Sequence, residues 1–180
     1  MKDLLLVIDM QNVYTKGQKW ECDGIDKVAA HISRIIDSNK CKDIAFTKYV
    51  CQQNPKGNWK KYNIINKKIN ENKWANEIMD IFEKNTSTWM VYEKCVYSSY
   101  SIPEIVDKVR SADRVIVTGV VAECCVLSTI LQLIDTGVEI IYLTDSIASM
   151  SDEKKKAVEL ILSGFEPMHI KMMKTDEYLK

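Results

Sequence analysis

The stretch from Arg114 to Leu131, RVIVTGVVAECCVLSTIL, constrains the fold more than any other part of this 180-residue chain. Val115, Ile116 and Val117 form the near-continuous apolar run of a strand covered on both faces. The run breaks at Thr118-Gly119, after which Val126, Leu127, Ile130, Leu131 and Ile134 recur at helical spacing. Strand, tight turn and helix follow from this pattern, with Cys124 and Cys125 in the helix's first turn. Amides at a helix start lack intrahelical partners and carry partial positive charge, so a cysteine there can have its thiolate stabilised and its pKa lowered. The same amides can hold an oxyanion. Position alone equally allows both cysteines to be small buried hydrophobes, the commonest role of a free thiol.

Other apolar runs extend the pattern in both directions. Leu4 to Ile8 is unbroken and ends in Asp9, where the carboxyl end of a parallel strand opens into a crevice. Asp9 is placed for chemistry there, or for capping the strand end. Ile25, Val28, Ala29, Ile32, Ile35 and Ile36 stripe one face of a helix over 23–38, with His31 beside the stripe as a surface or satisfied structural group. A short strand at Asp43 to Lys48 makes strand, helix, strand, which implies a parallel crossover. Residues 49–73 are polar and aperiodic and read as a long loop forming part of a pocket wall. In that loop Trp59 either stacks on a substrate or pins the loop to the core.

Helical spacing resumes from Trp74 to Phe82, and Thr86 to Glu93 reads as a third strand that delivers Lys94 at its end. Ser101 and Pro103 suit the start of a helix running to Arg110. Gly137 stops the helix that follows the two cysteines, Glu139 to Leu143 is a fifth strand, Ser151 caps a helix reaching Gly164, and Met168 to Met172 forms a sixth, edge strand. The alternation predicts one domain over 1–180: a three-layer α-β-α fold with a doubly wound, open, Rossmann-like sheet of about six mostly parallel strands.

Composition closes off several classes of function. Twenty-five basic residues balance 25 acidic ones, so no net field argues for nucleic acid or an anionic membrane. The N-terminal apolar run is too short for a signal peptide or a membrane span, which with six cysteines lacking any Cys-x-x-Cys pair predicts a cytoplasmic protein with free thiols. Gly-rich phosphate loops are absent, so no cofactor is expected.

Three stretches together resemble the isochorismatase-like cysteine hydrolases, which include nicotinamidases and N-carbamoyl amidohydrolases. They are LLLVIDMQNVYTKG, KCVYSSY and GVVAECCVLSTILQLIDTGVEIIYLTDSIAS. The resemblance implies a catalytic set of Asp9 as proton-transferring carboxylate, Lys94 as second catalytic residue and Cys125, six positions after Gly119, as nucleophile. It implies that Tyr14 lines the pocket and that a cis peptide joins Val121 to Ala122, in a turn where Val121, Ala122 and Cys125 serve the oxyanion. Val13 stands where the family often has an acidic residue. Nicotinamidases bind a metal through an Asp and two His in the region corresponding to 49–93. Here that region holds no histidine, so no metal is expected.

The implied function is hydrolysis of a C–N bond in a small amide or N-carbamoyl compound through a thioester, without cofactor, in a homo-oligomer. Trp59, Tyr97 and Glu123 are further candidates for binding the small-molecule substrate, although Glu123 also fits a solvent-facing acid favoured by the helix dipole. Two alternatives stand beside this one: vinyl-ether hydrolysis of the isochorismatase type, and a non-enzymatic partner-binding or thiol-sensing domain on the same fold.

Overall fold

The computed structural model describes residues 1–180. Its centre is a six-stranded, all-parallel open sheet: β1 (Asp3–Ile8), β2 (Asp43–Tyr49), β3 (Val91–Lys94), β4 (Arg114–Gly119), β5 (Glu139–Ile147) and β6 (Ile170–Met173), in the order β3-β2-β1-β4-β5-β6. The chain leaves β1 towards β2 and β3, then returns to the other side of β1 with β4. This reversal makes the carboxyl ends of β1 and β4 the switch point where a crevice opens.

Side chains alternate across the sheet and build one core on each face. Leu5 and Val7 of β1, Ile116 of β4, and Ile141 and Leu143 of β5 face α1 (Ile25–Asp37), which contributes Val28, Ile32, Ile35 and Ile36. Leu4, Leu6 and Ile8, with Val115, Val117, Ile140 and Tyr142, face the opposite layer. That layer comprises the helices α6 (Pro103–Arg110), α7 (Leu127–Thr136) and α8 (Asp152–Ser163), through Ile105, Val109, Ile130, Leu133, Val158 and Leu162. Burial of a side chain of this size stabilises the fold by roughly 1.5–3 kcal/mol. No helix is long and apolar enough to cross a membrane.

Gly119 fixes the approach of β4 to β1. It pairs with Ile8 at φ 110°, and a Cβ at this position would lie 2.1 Å from the Ile8 carbonyl oxygen. Only glycine fits both the dihedral and the contact. Gly137, at φ 79°, ends α7 as the sequence suggested, and Ser151 accepts the Lys154 amide at the start of α8.

The segment between β2 and β3 departs most from the sequence reading. The expected loop contains the helices α2 (Gly57–Ile65) and α3 (Lys67–Asn70). No residue of α2 is buried, so it carries no apolar stripe for periodicity to register. The helix expected over 74–82 breaks into α4 (Lys73–Asn76) and a 3-10 turn (Asp80–Phe82), because Ile78 between them bridges Gln11. The third strand begins at Val91 rather than Thr86, since 83–86 form the short helix α5 (Glu83–Thr86). Ile102, not Ser101, occupies the cap position before α6, and the Ser101 hydroxyl donates instead to the Ser98 carbonyl at 2.7 Å. The chain closes with α9 (Thr175–Leu179) against β5. His31 is satisfied, its Nδ1 donating to the Asp145 carbonyl at 2.8 Å.

Candidate active site

Three strand ends converge on one buried cluster. Asp9 directly follows β1, Lys94 ends β3, and Cys125 lies in a π-helical turn (Ala122–Val126) between β4 and α7. Their relative exposures are 0%, 3% and 5%. Asp9 adopts φ 50°, a left-handed conformation more accessible to Asp than to most residues. Lys94 Nζ donates to Asp9 Oδ2 at 2.6 Å and to the Val96 carbonyl at 3.1 Å. Thr47 Oγ1 donates to the other carboxylate oxygen, Oδ1, at 2.8 Å.

A chain of hydrogen bonds through Thr47, Ser99 and Thr129 carries this geometry round to the Cys125 backbone. Thr47 Oγ1 lies 3.2 Å from Ser99 Oγ, the Ser99 amide donates to Thr129 Oγ1 at 2.9 Å, and Thr129 Oγ1 donates to the Cys125 carbonyl at 2.7 Å. All of these residues are buried, where each remaining hydrogen bond is costly to lose.

Burial dominates the electrostatics of the thiol. It pushes the Cys125 pKa well above the usual thiol range, Asp9 pushes it further, and Lys94 opposes both. The sequence reading expected a helix start to lower this pKa. Here removal of the thiol from water, beside a carboxylate, outweighs the field of one turn. For Lys94, burial favours the neutral amine, but the Asp9 carboxylate, joined at high pH by the Cys125 thiolate, prevails and raises the pKa. The resting cluster is therefore an Asp9–Lys94 ion pair beside a neutral thiol.

Above Cys125 lies a cavity of about 220 Å³. Five rings line it: Tyr14, Trp20, Tyr49, Tyr62 and Tyr97. Val121, Cys124, Cys125 and Met150 complete the wall. Tyr14 stacks on Trp20 with centroids 5.9 Å apart, and Gln11 holds Tyr49 in place by accepting its amide at 2.9 Å and donating to its carbonyl at 3.0 Å.

Some candidates lie elsewhere than the sequence suggested. Trp59 does not line the cavity. It packs against the wall residues Tyr49, Tyr62 and Tyr97 at 6.4, 5.4 and 5.1 Å, so it supports the wall. Glu123 turns away, accepting from Ser149 Oγ at 2.6 Å and pairing with Lys154 at 3.3 Å. The cis peptide joins Val120 to Val121, one bond earlier than expected. Val120 donates the last bond to β1 at Ile8, and Ala122 already donates to Ala148 at 2.9 Å, so the chain must change direction between them. Ala122 thus has its amide committed, whereas the Val121 amide donates to no protein acceptor.

Sequence reasoning missed Trp20, Tyr49, Tyr62 and Met150 in the wall, and Thr47, Ser99 and Thr129 in the hydroxyl chain. Tyr49 and Thr47 could have been found, because they lie near the carboxyl end of β2, the position that singled out Asp9 and Lys94. Trp20 and Tyr62 come from segments without a periodic signal. No group of three or more His, Cys, Asp or Glu side chains is arranged to hold a metal ion. The metal site of nicotinamidases therefore does not fit the residues present.

A family model described as the isochorismatase domain matches residues 3–170, and the chain belongs to the isochorismatase-like hydrolase family. Solved structures agree in fold. An isochorismatase-like hydrolase from Alkaliphilus metalliredigens is 20% identical with a TM-score of 0.76, over 99% of this chain and 98% of that one. A cysteine hydrolase from Pseudomonas syringae pv. phaseolicola 1448A gives 16% and 0.83, over 99% and 91%. A pyrazinamidase/nicotinamidase from Streptococcus mutans UA159 gives 20% and 0.72, over 94% and 100%. Curated protein sequences contain no match.

Proposed function

We propose that this protein is a cysteine hydrolase that cleaves the C–N bond of a small amide or N-carbamoyl compound, with Cys125 as nucleophile, Asp9 as proton carrier and Lys94 as the cation that fixes Asp9. The observation carrying this reading is the buried ion pair of Asp9 and Lys94 at 2.6 Å, set against the Cys125 thiol at the floor of the cavity.

Because the thiol is neutral at rest, its deprotonation is coupled to attack. Asp9 accepts the proton as Cys125 Sγ bonds to the carbonyl carbon, and the C=O electron pair moves onto oxygen. The uncommitted Val121 amide, together with that of Cys125, is the proposed donor to this oxyanion. Collapse expels the nitrogen, which takes the proton from Asp9 and leaves as ammonia or an amine, and the acyl group remains as a thioester. Water then attacks the thioester with Asp9 again accepting a proton. Collapse breaks the C–S bond, and the sulfur recovers that proton. Lys94 stays protonated throughout, as its raised pKa requires.

A panel of small primary amides and ureido compounds, assayed for ammonia release, tests the reading against cleavage of isochorismate followed through pyruvate. Turnover in the amide or ureido set, absent in Cys125→Ala, is the expected result. Isochorismate turnover that survives Cys125→Ala would assign the vinyl-ether reaction instead.

A further inference from the structure

The charge of the cavity wall narrows the substrate class. None of its nine lining residues is Lys, Arg, His, Asp or Glu. Each cation close to the cluster is already engaged. Lys94 is fully buried against Asp9 and Val96, and Lys154 pairs with Glu123, which itself faces Ser149. Below the thiol, the Asp9 carboxylate and the Lys94 ammonium neutralise each other and offer a ligand no net charge. A carboxylate entering this cavity would leave water and meet no free cation, which is unfavourable.

Uncharged matter meets the opposite conditions. The rings offer flat apolar faces on several sides, and such walls bind planar bodies by stacking and burial. At about 30 Å³ for each water displaced, the cavity holds the equivalent of roughly seven waters, room for a single-ring compound. A cation would gain from the ring faces, but it would leave water and meet no free carboxylate, since Asp9 is paired with Lys94 and Glu123 with Lys154.

We propose that the site selects an uncharged, single-ring amide or urea and rejects amides, ureido acids and dicarboxylates that bring a carboxylate into the ring-lined cavity. This rests on the C–N hydrolase reading for the reaction, but the selection itself is a property of binding.

Three planar primary amides of the same shape separate charge from size: para-nitrobenzamide, para-carboxybenzamide and para-amidinobenzamide. With the wild-type protein, ammonia release gives kcat/KM, and quenching of tryptophan fluorescence, to which Trp20 on the wall contributes, gives Kd. The neutral compound is expected to bind and turn over at least tenfold better than the carboxylate, with the amidine between them or below. Equal or tighter binding of the carboxylate, tightest binding of the amidine, or no binding of the neutral compound overturns the proposal. Tenfold tighter binding of the neutral compound with no turnover of any amide upholds the selection and removes support from the hydrolase reading, so the two fail separately. Met150, 41% exposed at the rim, provides a second variant. Met150→Arg supplies the missing cation and is expected to improve carboxylate binding at least fivefold relative to the neutral compound. Unchanged discrimination in the folded variant contradicts the absence of charge as its cause.

Discussion

Thr47 Oγ1 donates to Asp9 Oδ1 at 2.8 Å while the other carboxylate oxygen is held by Lys94 at 2.6 Å, so the two oxygens have different partners and one orientation. Thr47 comes from β2, next to β1 in the sheet, and touches the rest of the cluster only through Asp9 and the Ser99 hydroxyl. In the proposed mechanism it acts by aiming Asp9 at the thiol. Thr47→Val keeps the shape and removes a hydrogen bond to a charged group, which costs roughly 1.5–3 kcal/mol of stability. Misalignment of Asp9 is expected to lower kcat by about 10- to 100-fold with KM nearly constant. Thr47→Ser should restore most of kcat. Equal kcat in wild type and Thr47→Val would show that the hydroxyl only fills space.

Lys94 is expected to matter for folding as much as for catalysis. Its ammonium and the Asp9 carboxylate both have side-chain exposures of 0%. Removing one member of such a pair leaves the other charge buried and uncompensated, which costs about 3–5 kcal/mol. Lys94→Ala should therefore shift the urea midpoint strongly downwards, and the double variant Lys94→Ala/Asp9→Ala should recover part of the loss. A double variant that is less stable than Lys94→Ala alone would contradict this coupling.

Stability should fall on the alkaline side. Burial raises the pKa of Cys22 to about 12 and that of Cys125 well above the usual thiol value, so in the folded state both keep protons that the unfolded chain releases. The folded state then binds more protons from the unfolded thiol range, about 8.5, up to the folded values, and unfolding becomes more favourable as pH rises across that window. Lys94, whose folded pKa is also raised, contributes in the same direction at higher pH. Urea unfolding at about pH 8 and about pH 11 should give a lower midpoint at the higher pH. A midpoint that rises with pH would contradict the sign.

The framework was legible because buried parallel strands and the helix stripes of α1 and α6–α8 are written as apolar patterns. Leu4–Ile8 and Val115–Val117 announce strands, and the residues at their carboxyl ends can be read off directly. Asp9, Lys94 and Cys125, which the structure brings into one buried cluster, were singled out in this way and by resemblance. The wall of the cavity was much less legible. Tyr49, Trp20 and Tyr62 are ordinary aromatics until tertiary packing brings them onto one cavity, and Trp59 packs against three of the wall's rings without lining the cavity itself. Glu123 faced away for a similar reason. Which way a first-turn acid points is decided by its neighbours, here Ser149 and Lys154, which lie some 25 to 30 residues further along the chain. The hydroxyl chain from Thr47 to Thr129 left no trace in composition or spacing.

The central claim is that Cys125, and not its neighbour Cys124 on the same cavity, carries the acyl group. Acid quenching during turnover of an amide substrate, followed by peptide mass spectrometry, measures this most directly, because a thioester survives acid and adds the acyl mass to one cysteine. The adduct is expected on Cys125 in wild type and Cys124→Ala, and should be absent, together with ammonia release, in Cys125→Ala. An adduct on Cys124, or ammonia release that persists in folded Cys125→Ala, would contradict the claim.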